Sequence, residues 1–171
     1  RAELPEDERK AAVRANLRAA AARFGLRWLP EKCVVDGIID NVAVRAQLTT
    51  RRRLAFRFTA TYGTPLDPGC GFSRRVSPWS RIMARLGLGR RTGSPTLDST
   101  FVVRGPIANR ISKTVADDIL ELAQRGEVRG DAVAVVYDTV DLESPAEEVL
   151  RRLARISVAL GGARTGSPYR G

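Results

Sequence analysis

Residues 33–62 read CVVDGIIDNVAVRAQLTTRRRLAFRFTATY, and their alternation of apolar and polar side chains predicts three antiparallel strands. Tight turns at 40–41 and at 51–53 bring the apolar side chains of all three strands onto one face. A slip of one residue in either pairing would turn that face to solvent, so the pattern specifies the register. The shared face consists of Cys33, Val35, Ile39, Val42, Val44, Ala46, Leu48, Phe56, Phe58, Ala60 and Tyr62.

The opposite face of the same three strands is polar and charged. The register places Asp36 across from Arg45 and Gln47 across from Arg57. Opposite charges in such cross-strand positions stabilise a sheet by a few tenths of a kcal/mol up to about 1 kcal/mol. The three strands therefore offer one face to a core and one face to solvent or to a partner.

The chain on either side of these strands alternates between helical and strand-like patterns. Main helices are predicted at 5–24, 107–124 and 144–160, the last opening with the capping box Ser144-Pro145-Ala146-Glu147. Further strands are predicted at 101–104 and 132–139, a short helix at 78–88, and irregular chain at 63–77 and 89–98. We expect an α+β fold, with a mostly antiparallel sheet of about five strands and three main helices packed on one face.

The length of 171 residues favours a single domain, which we place at 1–162. The remaining residues, 163–171, are expected to form a flexible basic tail. No run of the chain approaches the roughly 18–20 apolar residues that a membrane-spanning helix needs.

Histidine is absent from the chain, which excludes Ser-His-Asp and Cys-His catalysis and histidine-ligated metals. Among the carboxylates, Asp117 and Asp118 are neighbours on a helix and cannot converge on one substrate atom. Two widely separated cysteines, Cys33 and Cys70, do not make a zinc site and are interpreted as a buried thiol and a loop thiol. We therefore expect no enzymatic activity, no catalytic residues, no metal and no cofactor.

The positive charge is concentrated in residues 41–97, which contain eleven arginines and one acidic residue, Asp67. The flanking segments are close to neutral, although the whole chain carries a net charge of +10. Such a concentration is typical of a surface that binds phosphates, anionic lipid headgroups or an acidic protein. The alternative is a solvated sheet face on which Arg45 pairs with Asp36 and the other arginines prevent aggregation. The candidate anion-binding residues are Arg51, Arg52, Arg53, Arg57, Arg74, Arg75, Arg81, Arg85, Arg90 and Arg91.

Two other interpretations of this segment compete. The helix at 78–88 is basic and amphipathic and carries Trp79, a pattern typical of membrane-surface helices, but its apolar stripe would also cover the sheet. Phe56, Phe58 and Tyr62 are predicted to face the core, which argues against a platform that stacks the bases of a nucleic acid.

Several short stretches resemble an uncharacterised class of bacterial α+β domains. They are Ala22-Arg23-Phe24-Gly25-Leu26, Val35-Asp36-Gly37-Ile38-Ile39-Asp40-Asn41, and residues 92–103 with the sequence TGSPTLDSTFVV. Domains of that class are often attached to membrane helices. The resemblance implies a cytoplasmic, membrane-proximal location through a segment outside this chain, and it implies no catalytic residues.

Together these patterns predict a non-catalytic binding or scaffolding domain that uses residues 45–91 against an anionic partner, such as acidic lipid headgroups or an acidic protein. Binding to nucleic acid through its phosphates is the first alternative. The second is a structural subunit of a larger assembly, with the arginines buried between subunits.

Overall fold

The computed structural model describes residues 5–50, 54–78, 82 and 91–162. Its helices are α1 (Glu6–Phe24), α2 (Pro95–Thr100), α3 (Lys113–Arg125) and α4 (Ala146–Gly161), with single 3-10 turns at Pro30–Lys32 and Pro106–Arg110. Its strands are β1 (Arg27–Leu29), β2 (Val34–Ile39), β3 (Val42–Thr49), β4 (Ala55–Thr61), β5 (Gly71–Arg74), β6 (Phe101–Arg104), β7 (Glu127–Gly130) and β8 (Ala134–Thr139).

All eight strands belong to one antiparallel sheet in the order β1-β2-β3-β4-β8-β7-β5-β6. The predicted α+β class is confirmed. The predicted count of about five strands and three helices is wrong, because the described residues contain eight strands and four α-helices.

The predicted register of the first three long strands is confirmed. Ile39 pairs with Val42, and Leu48 pairs with Phe56. Asp40 and Asn41 both have positive φ, at 48° and 62°, which is the backbone of a two-residue hairpin turn. The apolar face of these strands therefore lies in the core, as the alternation indicates.

The strands that the sequence did not predict are the short ones. β1 has three residues, and β5 and β7 have four each, which is too few for an alternating pattern to stand out. β5 lies in chain predicted to be irregular, and so does the six-residue helix α2. Gly71 in β5 has positive φ, and a Cβ there would collide with the carbonyl oxygen of Gly130. A glycine that looks like a loop residue thus allows two strands to approach closely.

Two predicted helix starts are also wrong. The helix predicted at 107–124 begins after Ser112, whose hydroxyl accepts a hydrogen bond from the amide of Val115. The predicted capping box of α4 does not form, since the Ser144 hydroxyl donates to Asp141 instead. Asn16 of α1 takes over the capping role: its Oδ1 accepts from the Ala146 amide at 3.0 Å and its Nδ2 donates to the Ser144 carbonyl at 2.8 Å.

One core lies between the sheet and the main helices. α4 packs on β3, β4 and β8, while α1 packs on β2 and α3 packs on β7. Buried residues from these elements form a single apolar cluster. No described helix is long and apolar enough to cross a membrane. Except for residues 78 and 82, the predicted helix at 78–88 lies outside the described residues, as does the predicted tail at 163–171.

Candidate anion-binding surface

The side chains that point away from α1, α3 and α4 form a second face of the sheet, which carries most of its charged residues and which we call the open sheet face. Its members alternate with the buried core residues along each strand, so they are fixed by the same register. The open sheet face includes Arg27, Asp36, Arg45, Arg57, Thr59, Arg104, Glu127, Arg129, Val136 and Asp138.

Two neighbouring rows of residues cross this face at right angles to the strands. The first row contains Arg27, Asp36, Arg45, Thr59, Val136 and Arg129 in that order. The second contains Leu29, Val34, Gln47, Arg57, Asp138 and Glu127 in that order. Because adjacent strands lie about 4.8 Å apart, Arg45 and Arg129 are separated by about 14 Å.

Arg57, a predicted anion-binding residue, is held by a carboxylate. Its Nε and Nη2 donate to the two oxygens of Asp138 at 2.7 and 3.1 Å. Arg129 donates to the same carboxylate at 3.0 Å. Burial acts to raise the pKa of Asp138, but the hydrogen bonds from Arg57 and Arg129 outweigh it and lower that pKa. Arg57, which was predicted to lie across from Gln47, therefore has an ion-pair partner within the fold.

Arg45 is an exposed arginine in the middle of the face. It lies across from Asp36, as predicted, but Asp36 accepts both of its hydrogen bonds from Arg27, each at 2.9 Å. The bonds from Arg27 are the main reason that the pKa of Asp36 is lowered. The predicted ion pair between Arg45 and Asp36 therefore does not form, although the positive charge of Arg45 also helps to lower the pKa of Asp36. Arg45 forms no ion pair with any other residue that the structure describes.

Three of the other predicted residues, Arg74, Arg75 and Arg91, lie in the part of the chain that the structure describes. Arg74 is exposed at the end of β5 and shares the side of the sheet that carries the buried Phe72. Arg75 donates its Nε to the carbonyl of Asp98 at 3.0 Å. Arg91 is exposed and directly precedes Thr92, whose amide and hydroxyl both donate to the Asp98 carboxylate. Arg51, Arg52, Arg53, Arg81, Arg85 and Arg90 lie outside the described residues.

Arg57 is the only one of these members of the open sheet face that was among the predicted anion-binding residues, so Arg27, Arg45, Arg129 and Asp138 were all missed. Arg27 and Arg129 lie on β1 and β7, the short strands that the sequence pattern did not reveal. The alternation Glu127-Val128-Arg129 is the signal that could have indicated an exposed strand face there. Asp138 required the pairing of β4 with β8, which joins positions 81 residues apart.

The carboxylates Asp117 and Asp118 form ion pairs within the fold, and both thiols are buried. Asp117 pairs with Lys113 on the surface, whereas Asp118 is buried and accepts hydrogen bonds from Arg152 and Arg155. Cys33 and Cys70 are both buried free thiols, and Cys70 lies in the loop directly before β5, as predicted. No cluster of His, Cys, Asp or Glu among the described residues has the grouping that would hold a metal ion.

The chain was compared with protein-family models, with curated proteins and with solved structures, and none of them matches it.

Proposed function

We propose that this chain is a non-catalytic binding domain whose open sheet face holds an anionic partner, an acidic protein surface or the headgroups of acidic lipid. The observation that carries the proposal is the position of Arg45. It is exposed at the centre of a row of cross-strand residues and forms no ion pair with the described part of the chain. An arginine there is available to a carboxylate or phosphate from outside.

The arginines around Arg45 support the same role. Arg57 uses Nε and Nη2 for Asp138, and Arg27 uses the same two atoms for Asp36. A guanidinium group has five N–H donors, so Arg57 and Arg27 each keep N–H donors that are not used in these bonds. Arg45, Arg57 and Arg129 therefore offer a broad surface rather than a single pocket, and such a surface suits a macromolecular or membrane partner better than a small molecule.

Binding to nucleic acid through its phosphates is the second candidate, because guanidinium groups suit phosphate as well as carboxylate. The aromatic rings of Phe56, Phe58 and Tyr137 are buried on the other side of the sheet. We therefore expect any such binding to depend on the backbone of the nucleic acid and to be insensitive to its sequence.

The test is a comparison of two charge reversals, Arg45→Glu and Arg74→Glu. Both residues are exposed and both reversals change the net charge equally, but they lie on opposite sides of the sheet. The probes are poly-glutamate, vesicles with and without phosphatidylserine, and duplex DNA, each at about 50 mM salt, where phosphate contacts are strong.

We expect Arg45→Glu to weaken binding to the preferred probe about ten-fold, and Arg74→Glu to weaken it less than two-fold, since a reversal beside the ligand replaces attraction by repulsion. Equal losses in the two variants would contradict a site on the open sheet face. Absence of binding to all three probes by the wild-type chain would contradict an anionic partner of any of these classes.

A further inference from the structure

An apolar groove runs along the outer side of α1, on the side away from the core. Its floor is made of alanines from successive turns of the helix, and its other wall is formed by the half-buried Trp28 with Pro30. The groove measures about 620 Å³, and Arg14 and Arg18 also line it. The alanines are Ala15, Ala19 and Ala22.

The exposed charges along α1 change sign from one end to the other. Asp7 and Glu8 are exposed in the first turn, and Arg18 is exposed three turns later. Within the described part of the chain, none of these three forms an ion pair. Of the other charged residues of α1, Glu6 is paired with Lys10 and Arg23 with Glu147, while Arg14 donates its Nε to Cys33 Sγ at 3.3 Å.

This order of charges is complementary to itself. Asp7 and Arg18 are both five to six residues, or about 8 Å, from a point midway between residues 12 and 13, given the rise of 1.5 Å per residue. At 100° per residue, Asp7, Ala11, Ala15 and Arg18 fall within a sector of about 80° on the outer side of the helix. A second copy of α1, antiparallel about a two-fold axis at that point, would therefore bring acidic residues level with Arg18 at both ends.

We propose that the groove is occupied by a second copy of this chain, with the two α1 helices packed antiparallel. The N-terminal turns of the partner's helix then lie in the groove against Trp28, and Asp7 of each copy meets the partner's Arg18. Ala11 of each copy lies within one residue, about 1.5 Å, of the level of the partner's Ala15. Alanine side chains allow helix axes to approach closely. This contact is distinct from the open sheet face and does not depend on the function proposed for it.

The expected dimer is weak and sensitive to salt. A helix of 19 residues is about 28 Å long, and a pair of such helices buries less than the 1,200–2,000 Å² of a standard stable interface. We expect a dissociation constant on the order of 10–100 µM at low salt, increasing with ionic strength as the exposed ion pairs are screened.

The experiment is sedimentation velocity on the full chain at about 5–500 µM, at low and at high salt. The variants are Arg18→Glu, the charge swap that combines Asp7→Arg with Arg18→Glu, and Arg74→Glu, which makes the same charge change far from α1. Circular dichroism establishes that each variant is folded, as expected for changes at exposed positions.

We expect the wild type to dimerise and Arg18→Glu to raise the dissociation constant of the dimer about ten-fold or more. The swap should bring the dissociation constant back to within about three-fold of the wild-type value, and Arg74→Glu should change it by less than about two-fold. A wild type that stays monomeric up to 500 µM would overturn the proposal. So would equal effects of Arg18→Glu and Arg74→Glu. A swap that fails to restore the dimer would likewise overturn it, because the groove would then take an acidic occupant other than this helix.

Discussion

The substitution Asp138→Asn separates the two roles of the arginines on the open sheet face. Asp138 binds Arg57 and Arg129, so it stabilises the fold and at the same time competes with any anionic partner for those guanidinium groups. The substitution keeps the shape of the side chain and one acceptor oxygen but removes the negative charge. We therefore expect a less stable protein that binds an anionic probe more tightly.

The loss of stability follows from the exposure of the three side chains. Asp138 is 24% exposed, whereas Arg57 and Arg129 are 41% and 39% exposed, so water screens part of their interaction. A hydrogen bond to a charged group contributes about 1.5–3 kcal/mol when shielded, and an exposed ion pair about 0.2–1 kcal/mol. We expect the free energy of unfolding to decrease by about 1–2 kcal/mol, which lowers Tm by about 2–8 °C for a chain of this size.

The difference between wild type and variant should depend on pH. The pKa of Asp138 in the folded state lies below its ordinary value of 3.8, so its charge stabilises the fold at pH values above 3.8. That contribution is lost as the pH decreases through the folded-state pKa. Urea denaturation should therefore show the full difference at pH 7 and a smaller one in the acid range below 3.8.

Binding is measured on the same samples with the probe that the wild type prefers. Removing one competing carboxylate should tighten binding about two- to five-fold, the equivalent of an exposed ion pair. Asp117→Asn is the control, because it makes the same charge change on α3, where Asp117 pairs with the exposed Lys113. If a folded Asp138→Asn variant binds the probe no more tightly than the wild type, the reasoning is refuted. It is also refuted if Asp117→Asn tightens binding by the same factor.

Three further predictions concern the fold and are measured by urea denaturation. Asp118→Ala removes a buried carboxylate that accepts three hydrogen bonds from two arginines, and it should lower the free energy of unfolding by about 2–3 kcal/mol. Asp117→Ala on the surface should lower it by less than about 0.5 kcal/mol. Similar losses in the two variants would contradict a stabilising role for the buried Asp118 ion pairs. Asn16→Ala removes the side chain that caps α4 and should cost about 1–2 kcal/mol, and a neutral result would contradict this capping role. Gly130→Ala places a Cβ 2.5 Å from the Phe72 ring and should cost about 1–3 kcal/mol, so a stabilised variant would be inconsistent with the close packing of β7 on β5.

The parts of the fold that the sequence predicts are those with long periodic patterns. β2, β3 and β4 follow from strict alternation, and α1 from its buried stripe of Val13, Leu17 and Ala20. β1, β5 and β7 have only three or four residues, too few to establish a period, and they were missed, although β6, also of four residues, was predicted. Asn16 shows a second limit of sequence-based prediction. It caps α4 from 128 and 130 positions away in the sequence, so the sequence around the start of α4 gives no sign of the cap.

The candidate surface was predictable in its composition and not in its pairing. The cross-strand register correctly places Arg45 opposite Asp36 and Arg57 on the same face. It could not show that Arg27 would take the Asp36 carboxylate, or that Asp138 would hold Arg57, because both contacts depend on neighbours in strands that were missed or had no assigned position in the sheet. The net charge of a segment is therefore a poor measure of the arginines that remain available.

The most direct test of the open sheet face is an NMR titration of the arginine Nε–Hε signals with the preferred anionic probe, each signal being assigned by an Arg→Lys variant. We predict that the signal of Arg45 shifts most, that those of Arg57 and Arg129 shift with it, and that the signal of Arg74 stays in place. A titration in which Arg74 shifts while Arg45 does not would contradict the assignment of the anionic partner to this face.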